Sequence, residues 1–339
     1  MNSTPSFNAI QQKAIDLMRS DLRFIYTMIV NIEQLKSNYT VSTLPYIGLV
    51  IDGIEDWINR YNNSNQLKLN LPVFSKEEQK YYEKMRGSIK IWERPYDEIF
   101  NKMKALYDIS DAHFSSLCKP IAKKLKLYDI YGVDLVDGEL CGNTILCAYY
   151  SPDFSFDKGY GEHIKEMAMI GGCYIRLFNA TTAFSVKKEM TFETRDYGGL
   201  FKSPFGKEFN DSFILFSVLC QIQYLLLCVE RYIDEECPTK LRFEDILYYY
   251  LNAVIPCINK RLNTTFTMDS KYHSDLFRNA MAHYGLGVAL KPDELIEDDP
   301  FGGLTQKFFQ CDYYALKQDI ISQLCRLAQQ IKDFLNINQ

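Results

Sequence analysis

"FILFSVLCQIQYLLLCV", residues 213–229, decides the architecture. It is apolar almost throughout, yet it falls short of the roughly 20 apolar residues that span a bilayer, and it carries Gln221 and Gln223. The stretch therefore reads as a buried core helix. Around it, Asp211–Glu236 reads as one long helix stopped before Pro238, because the residue ahead of a proline avoids helical backbone. Phe243–Leu262 reads as a second helix, with a kink expected at Pro256. Thr267–Ser270 offers N-cap side chains for a third, which Gly285 or Gly287 would end. An acidic loop, ELIEDDPFGG, fills 294–303, and Asp312–Asn336 reads as a last amphipathic helix. Four helices with short connections predict an antiparallel bundle.

Toward the N-terminus the pattern stays helical. Apolar residues recur with a period near 3.6 from Asn8 to Lys36, predicting one long amphipathic helix. Leu44–Tyr61 reads as a second, with Pro45 in its first turn. The Asn-rich 62–70 stretch reads as a loop. Ser75 and Glu78 have the spacing of a capping box, opening a helix to about Ile91. Pro95 interrupts, Tyr96–Tyr107 continues as helix, and His113–Leu127 reads as another. Residues 128–160 lose this period and suit a short strand, a hairpin or an ordered loop. Glu162–Lys188 reads mostly as helix, with Gly171-Gly172 a possible break, and Thr194–Phe209 as a loop. The expected fold is mainly all-α. An N-terminal helical region (1–127) and an irregular connecting segment plus helix (128–209) precede a helical bundle (210–339).

Composition narrows the function. The chain has 339 residues, 24 Tyr, 22 Phe and a net charge of −5, so any contact with a polyanion has to be local. Its 10 Cys show neither CxxC pairs nor zinc-finger spacing, which predicts reduced thiols in a cytoplasm. The N-terminus, MNSTPSFNAI, lacks the charged and apolar regions of a signal peptide. No P-loop and no GxSxG occurs.

Within the third bundle helix lies FRNAMAHYGLG, residues 277–287. It places Arg278 and Asn279 ahead of His283 in a chain with only 4 His. This segment resembles the signature of the HEPN superfamily, in which Arg is followed after four to six residues by His, often with a polar residue directly after the Arg. The resemblance covers roughly residues 205–339. It implies a metal-independent endoribonuclease without cofactor, acting in bacterial defence, stress or toxin–antitoxin responses. It also implies RNA as partner, homodimerisation through the bundle, and a regulatory protein or antitoxin. Some family members carry Tyr two residues after the His; here Gly285 holds that place and Tyr284 is adjacent to the His.

The residue types suit that chemistry. Imidazole can accept or donate a proton near neutrality. A guanidinium suits the charge gathering on phosphate oxygens, and Asn279 could orient either group. On an ideal helix, Asn279 and His283 share a face, whereas Arg278 stands about 140° from His283. A second subunit across a twofold axis would reconcile the two. Tyr284, His273, Lys187 and Lys188 are candidate RNA contacts, and Lys119, Lys123, Lys124 and Lys126 form a separate basic cluster. The acidic residues Glu230, Asp234, Glu235 and Glu236 read as a solvated helix end. The alternative function is a non-catalytic HEPN-like protein that binds a nucleotide or a protein partner.

Overall fold

The structure, a computed structural model, describes residues 7–63, 70–197 and 208–337. It is mainly all-α with one small sheet. Helix α1 spans Ala9–Val30 and opens on a capping box between Asn8 and Gln11. The expected 8–36 helix breaks at Asn31, whose side-chain amide donates to the Thr27 carbonyl at 2.8 Å and so competes with the helical ladder. Helix α2 spans Ile32–Asn63, broken at Lys36 (φ 62°), and Pro45 lies well inside it rather than in a first turn. Helix α3 (Lys76–Ile89) begins with the predicted Ser75–Glu78 capping box. Pro95 caps α4, which runs on to Ser116 and absorbs His113; only the short α5 (Pro120–Lys124) follows.

The middle segment holds a hairpin. Strands β1 (Tyr131–Val136) and β2 (Glu139–Asn143) are joined through Asp137 and Gly138, both with positive φ, as an Asp-Gly turn requires. Helices α6 (Thr144–Tyr150) and α7 (Gly161–Leu177) follow, and α7 passes through Gly171-Gly172 unbroken. Strand β3 (Phe192–Tyr197) pairs antiparallel with β1, giving the order β2-β1-β3. Residues 194–197, expected as loop, are therefore strand, and the rest of that predicted loop up to 207 lies outside the described residues.

Helix α8 (Asp211–Tyr224) continues as a π-helical segment, Leu225–Arg231. Between them they form one apolar helix long enough to cross a membrane by length and composition, but 89% of its most apolar window is buried inside the protein. Helix α9 (Pro238–Leu262) starts at Pro238 itself, the first-turn position where proline's missing N–H costs nothing, and runs through Pro256 to a left-handed Asn263. Then come α10 (Asp275–Ala282), α11 (Leu286–Ala289), α12 (Leu304–Phe309) and α13 (Tyr313–Phe334). The third bundle helix thus begins at Ser274, not within 267–270, and stops before His283. Buried side chains form one continuous core from Ile10 to Leu335, with α1 against α9 and α2 against α10.

One close approach fixes the geometry of the motif. A Cβ on Gly53 of α2 would lie 2.4 Å from the Ala282 carbonyl oxygen and 3.0 Å from the Tyr284 ring. Helix α2 therefore rests directly on the end of α10. Gly53→Ala is expected to destabilise the fold by about 1–3 kcal/mol through overpacking, read as a lowered denaturation midpoint with secondary structure retained.

Candidate functional site

Helix α10 is held at both ends. Ser274 caps its start, accepting from the Phe277 N–H at 3.3 Å. At its end the buried Arg242 of α9 donates to the carbonyls of Met281 (2.7 Å) and Ala282 (3.2 Å), groups that a helix C-terminus leaves without partners. The same guanidinium pairs with Asp21 of α1, and both side chains are 1% exposed. Tyr284 follows in the left-handed region (φ 50°) and donates its hydroxyl to Asp21 at 2.6 Å. Burial pushes the Asp21 carboxyl upward, opposed by Arg242 and by hydrogen bonds from Tyr284 and Thr239.

This arrangement puts His283 just beyond the helix, as its C-cap residue. Its ring faces α2. Nδ1 lies 2.7 Å from Asp56 Oδ2 and 3.9 Å from Asp52 Oδ2. Neither oxygen stands in the hydrogen-bond direction of that nitrogen, and Asp52 Oδ2 is itself buried without a partner. Asp52 Oδ1 is taken by Arg86 at 2.6 Å. Burial holds the imidazole below its ordinary pKa of 6.5, against the raising effect of Asp56 and with help from the charges of Arg86 and Arg242. Burial likewise pushes Asp52 up to about 6, against the pull of Arg86. His283 and Asn279 line a cavity of about 650 Å³ together with Asp56, Arg60 and Lys307. Its apolar walls include Leu276 and Val288, 70% and 71% exposed.

Arg278 occupies a different neighbourhood. Its guanidinium lies 4.6 Å from the centre of the Tyr249 ring and 3.7 Å from Glu93 Oε1, with its side chain 13% exposed. Nε is buried without a hydrogen bond. Close by, Asp245 of α9 is fully buried, and burial pushes its carboxyl up to about 8 despite the pull of Arg278. Within one chain, then, Asn279 and His283 converge and Arg278 does not join them, as the helical angles anticipate.

The other candidates separate clearly. His273 is exposed and stacks on Tyr249, ring centres 4.3 Å apart, so it shares a platform with Arg278. Tyr284 is fully buried and is withdrawn as an RNA contact, since its face and hydroxyl are consumed by Arg242 and Asp21. Lys187 and Lys188 pack by their backbone carbonyls against Gln34, near the start of α2, whereas His283 meets α2 at Asp56. The break at Lys36 and most of α2 separate the two places, and neither lysine lines the cavity. Glu230 and Glu236 are not a solvated end: they hold the buried Lys317 at 2.9 and 2.5 Å. Sequence reasoning missed Asp52, Asp56 and Arg60. Their spacing of four residues along one helix was the available signal, since it puts three charges on one face.

Comparison with protein-family models, curated proteins and solved structures finds no match for this chain.

The buried Asp245 carries a stability consequence. A carboxyl whose folded pKa is raised contributes stability that is full below the ordinary value of 3.8 and is lost as pH climbs through about 8. Asp245→Asn is therefore expected to gain on wild type as pH rises from 5 to 8, measured as the difference between their urea-denaturation free energies. Equal slopes for the two proteins would contradict the buried-acid assignment.

Proposed function

We propose that this chain is a metal-independent endoribonuclease of the HEPN type, cytoplasmic, and active in bacterial defence, stress or toxin–antitoxin response. The observation that carries the proposal is the His283 imidazole, its pKa lowered by burial, open to a cavity that also holds Asn279 and two cationic side chains, Arg60 and Lys307.

The chemistry follows from these groups. The RNA 2′-hydroxyl attacks the adjacent phosphorus, the bond to the 5′ oxygen breaks, and a 2′,3′-cyclic phosphate and a 5′-hydroxyl result. His283 transfers a proton in this displacement; Asp56 against Nδ1 leaves Nε2 as the nitrogen that meets the substrate. Asn279, one turn away on the same face, orients the ring or the phosphate. Arg278 stabilises the charge that gathers on the phosphate oxygens, reaching a cleft shared between two protomers. The exposed Leu276 and Val288 beside His283 support pairing of two copies at this face, since apolar side chains grouped at a cavity mouth favour association. A regulatory protein or antitoxin that covers the same face would silence the enzyme.

One observation favours a second reading, a non-catalytic HEPN-like protein that binds a nucleotide or protein partner. Arg278 is already engaged by Glu93 and Tyr249.

Wild type is expected to cleave mixed single-stranded RNA in EDTA, with His283→Ala lowering the rate by about 10²–10⁴-fold and Arg278→Ala also impaired. Cleavage unaffected by either substitution would reject the assignment, and a folded dimer without activity on any RNA would favour the second reading. Because the imidazole titrates below 6.5, the acid limb of the pH–rate profile should fall below that value when His283 serves as base. A shared cleft makes a further demand: mixed dimers of Arg278→Ala and His283→Ala chains should regain cleavage that neither homodimer shows, because one of their two clefts holds both intact groups.

A further inference from the structure

Asp52, Asp56 and His283 each offer one donor atom, and the three atoms lie within 4.8 Å of one another. We propose that they form a binding site for a divalent first-row transition cation of the zinc class, a site that shares His283 with the proposed cleavage although the cleavage itself needs no ion.

Three observations carry this. The first is an under-satisfied pair of atoms. Asp52 Oδ2 is buried without a hydrogen bond and lies 3.9 Å from His283 Nδ1, which is shielded from solvent and touches Asp56 Oδ2 at 2.7 Å without a well-directed hydrogen bond. Buried polar atoms in that condition call for a water or an ion between them. A single imidazole proton cannot satisfy two carboxylates, whereas a cation accepts all three donors. The second is spacing. Ligands about 2.1 Å from one ion stand roughly 3.4 Å apart in tetrahedral geometry, between the 2.7 and 3.9 Å observed from Nδ1 to the two carboxylates. Asp56, with its side chain 52% exposed, has room to retreat, and Asp52 is already fixed by Arg86 on its other oxygen. The third is access. Asp56 and His283 line the 650 Å³ cavity, so an ion reaches them from solvent and keeps an open position for water.

The charges around the site are mixed. Asp52, Glu55 and Asp56 follow one another on α2, opposed by Arg86 and, at the cavity, Arg60. Carboxylates at four-residue spacing repel each other, and a dication between them removes that repulsion. One imidazole with two carboxylates, and no thiolate, selects against magnesium and calcium, which prefer all-oxygen sites.

A consequence for regulation rests on the ribonuclease reading. Coordination through Nδ1 would fix the ring neutral with its proton on Nε2, so the nitrogen facing substrate could no longer accept a proton.

The test uses the full chain, stripped with EDTA and desalted. Isothermal titration with ZnCl₂ should show one tight equivalent per chain, weakened at least tenfold in Asp56→Asn and in His283→Gln, each checked for native circular dichroism. Co²⁺ bound in place of Zn²⁺ should give visible absorption without a thiolate charge-transfer band. Absence of binding, wild-type affinity in both variants, a thiolate band, or tighter binding of Mg²⁺ than of Zn²⁺ would each overturn the site. These measurements need no RNA, so their failure leaves the nuclease proposal standing. For the regulatory consequence, Zn²⁺ should slow cleavage by wild type, and Asp56→Asn should need at least tenfold more for the same fractional slowing. Undiminished cleavage at saturating Zn²⁺ would overturn the switch and leave the ion site in place.

Discussion

The buried guanidinium of Arg242 is the constraint on which the site depends. It lies on α9, pairs with Asp21 of α1, and holds the last two carbonyls of α10. Three helices distant in sequence are thereby fixed at one buried point. Removing one partner of such a group is costly, because the charge left behind stays buried; breaking a pair of this kind typically costs about 3–5 kcal/mol. The hydrogen bonds to backbone make it directional as well. They specify where α10 stops, and hence where His283 begins its turn. Gly53 then lets α2 approach that same end closely enough to bring Asp52 and Asp56 to the imidazole.

Ending α10 at this point has a geometric result. On a continuous helix, His283 would sit one turn beyond Asn279 with Arg278 turned away. The turn at Tyr284 preserves the first relation and does not cancel the second. Arg278 instead lies on the Tyr249 ring beside Glu93 and the buried Asp245. A cation over an aromatic face, next to an acid held largely protonated near neutrality, is well anchored along its stem while its outer edge remains near the surface.

Much of this was legible in the sequence, for reasons that differ from element to element. The Ser75–Glu78 box and the stop at Pro95 were readable because capping and proline effects act within a few residues. The apolar run from 213 to 229 was readable because its burial follows from composition. The break at Asn31 was not, since the apolar period carries on across it and only a side-chain bond to Thr27 ends the helix. Strand β3 was hidden because its residues, FETRDY, alternate poorly and gain their partner from β1, some sixty residues earlier. Arg278, Asn279 and His283 could be named from spacing. Their separation into two neighbourhoods could be inferred from helical angles. The four-residue spacing on α2 puts Asp52, Asp56 and Arg60 on one face, but only tertiary packing brings that face to His283.

Charged groups are buried at several points around the site. Asp21, Arg242 and Asp245 are removed from water and Asp52 is partly so, and burial raises the pKa of all three acids. A core built for stability alone would place apolar side chains there, since a well-packed hydrophobic replacement often matches or exceeds a buried ion pair. Buried charge is not confined to this place: Asp134, Glu244 and Lys317 are buried elsewhere in the core. At the end of α10 the buried pair of Arg242 and Asp21 has a definite consequence, because it fixes the backbone from which His283 reaches the cavity.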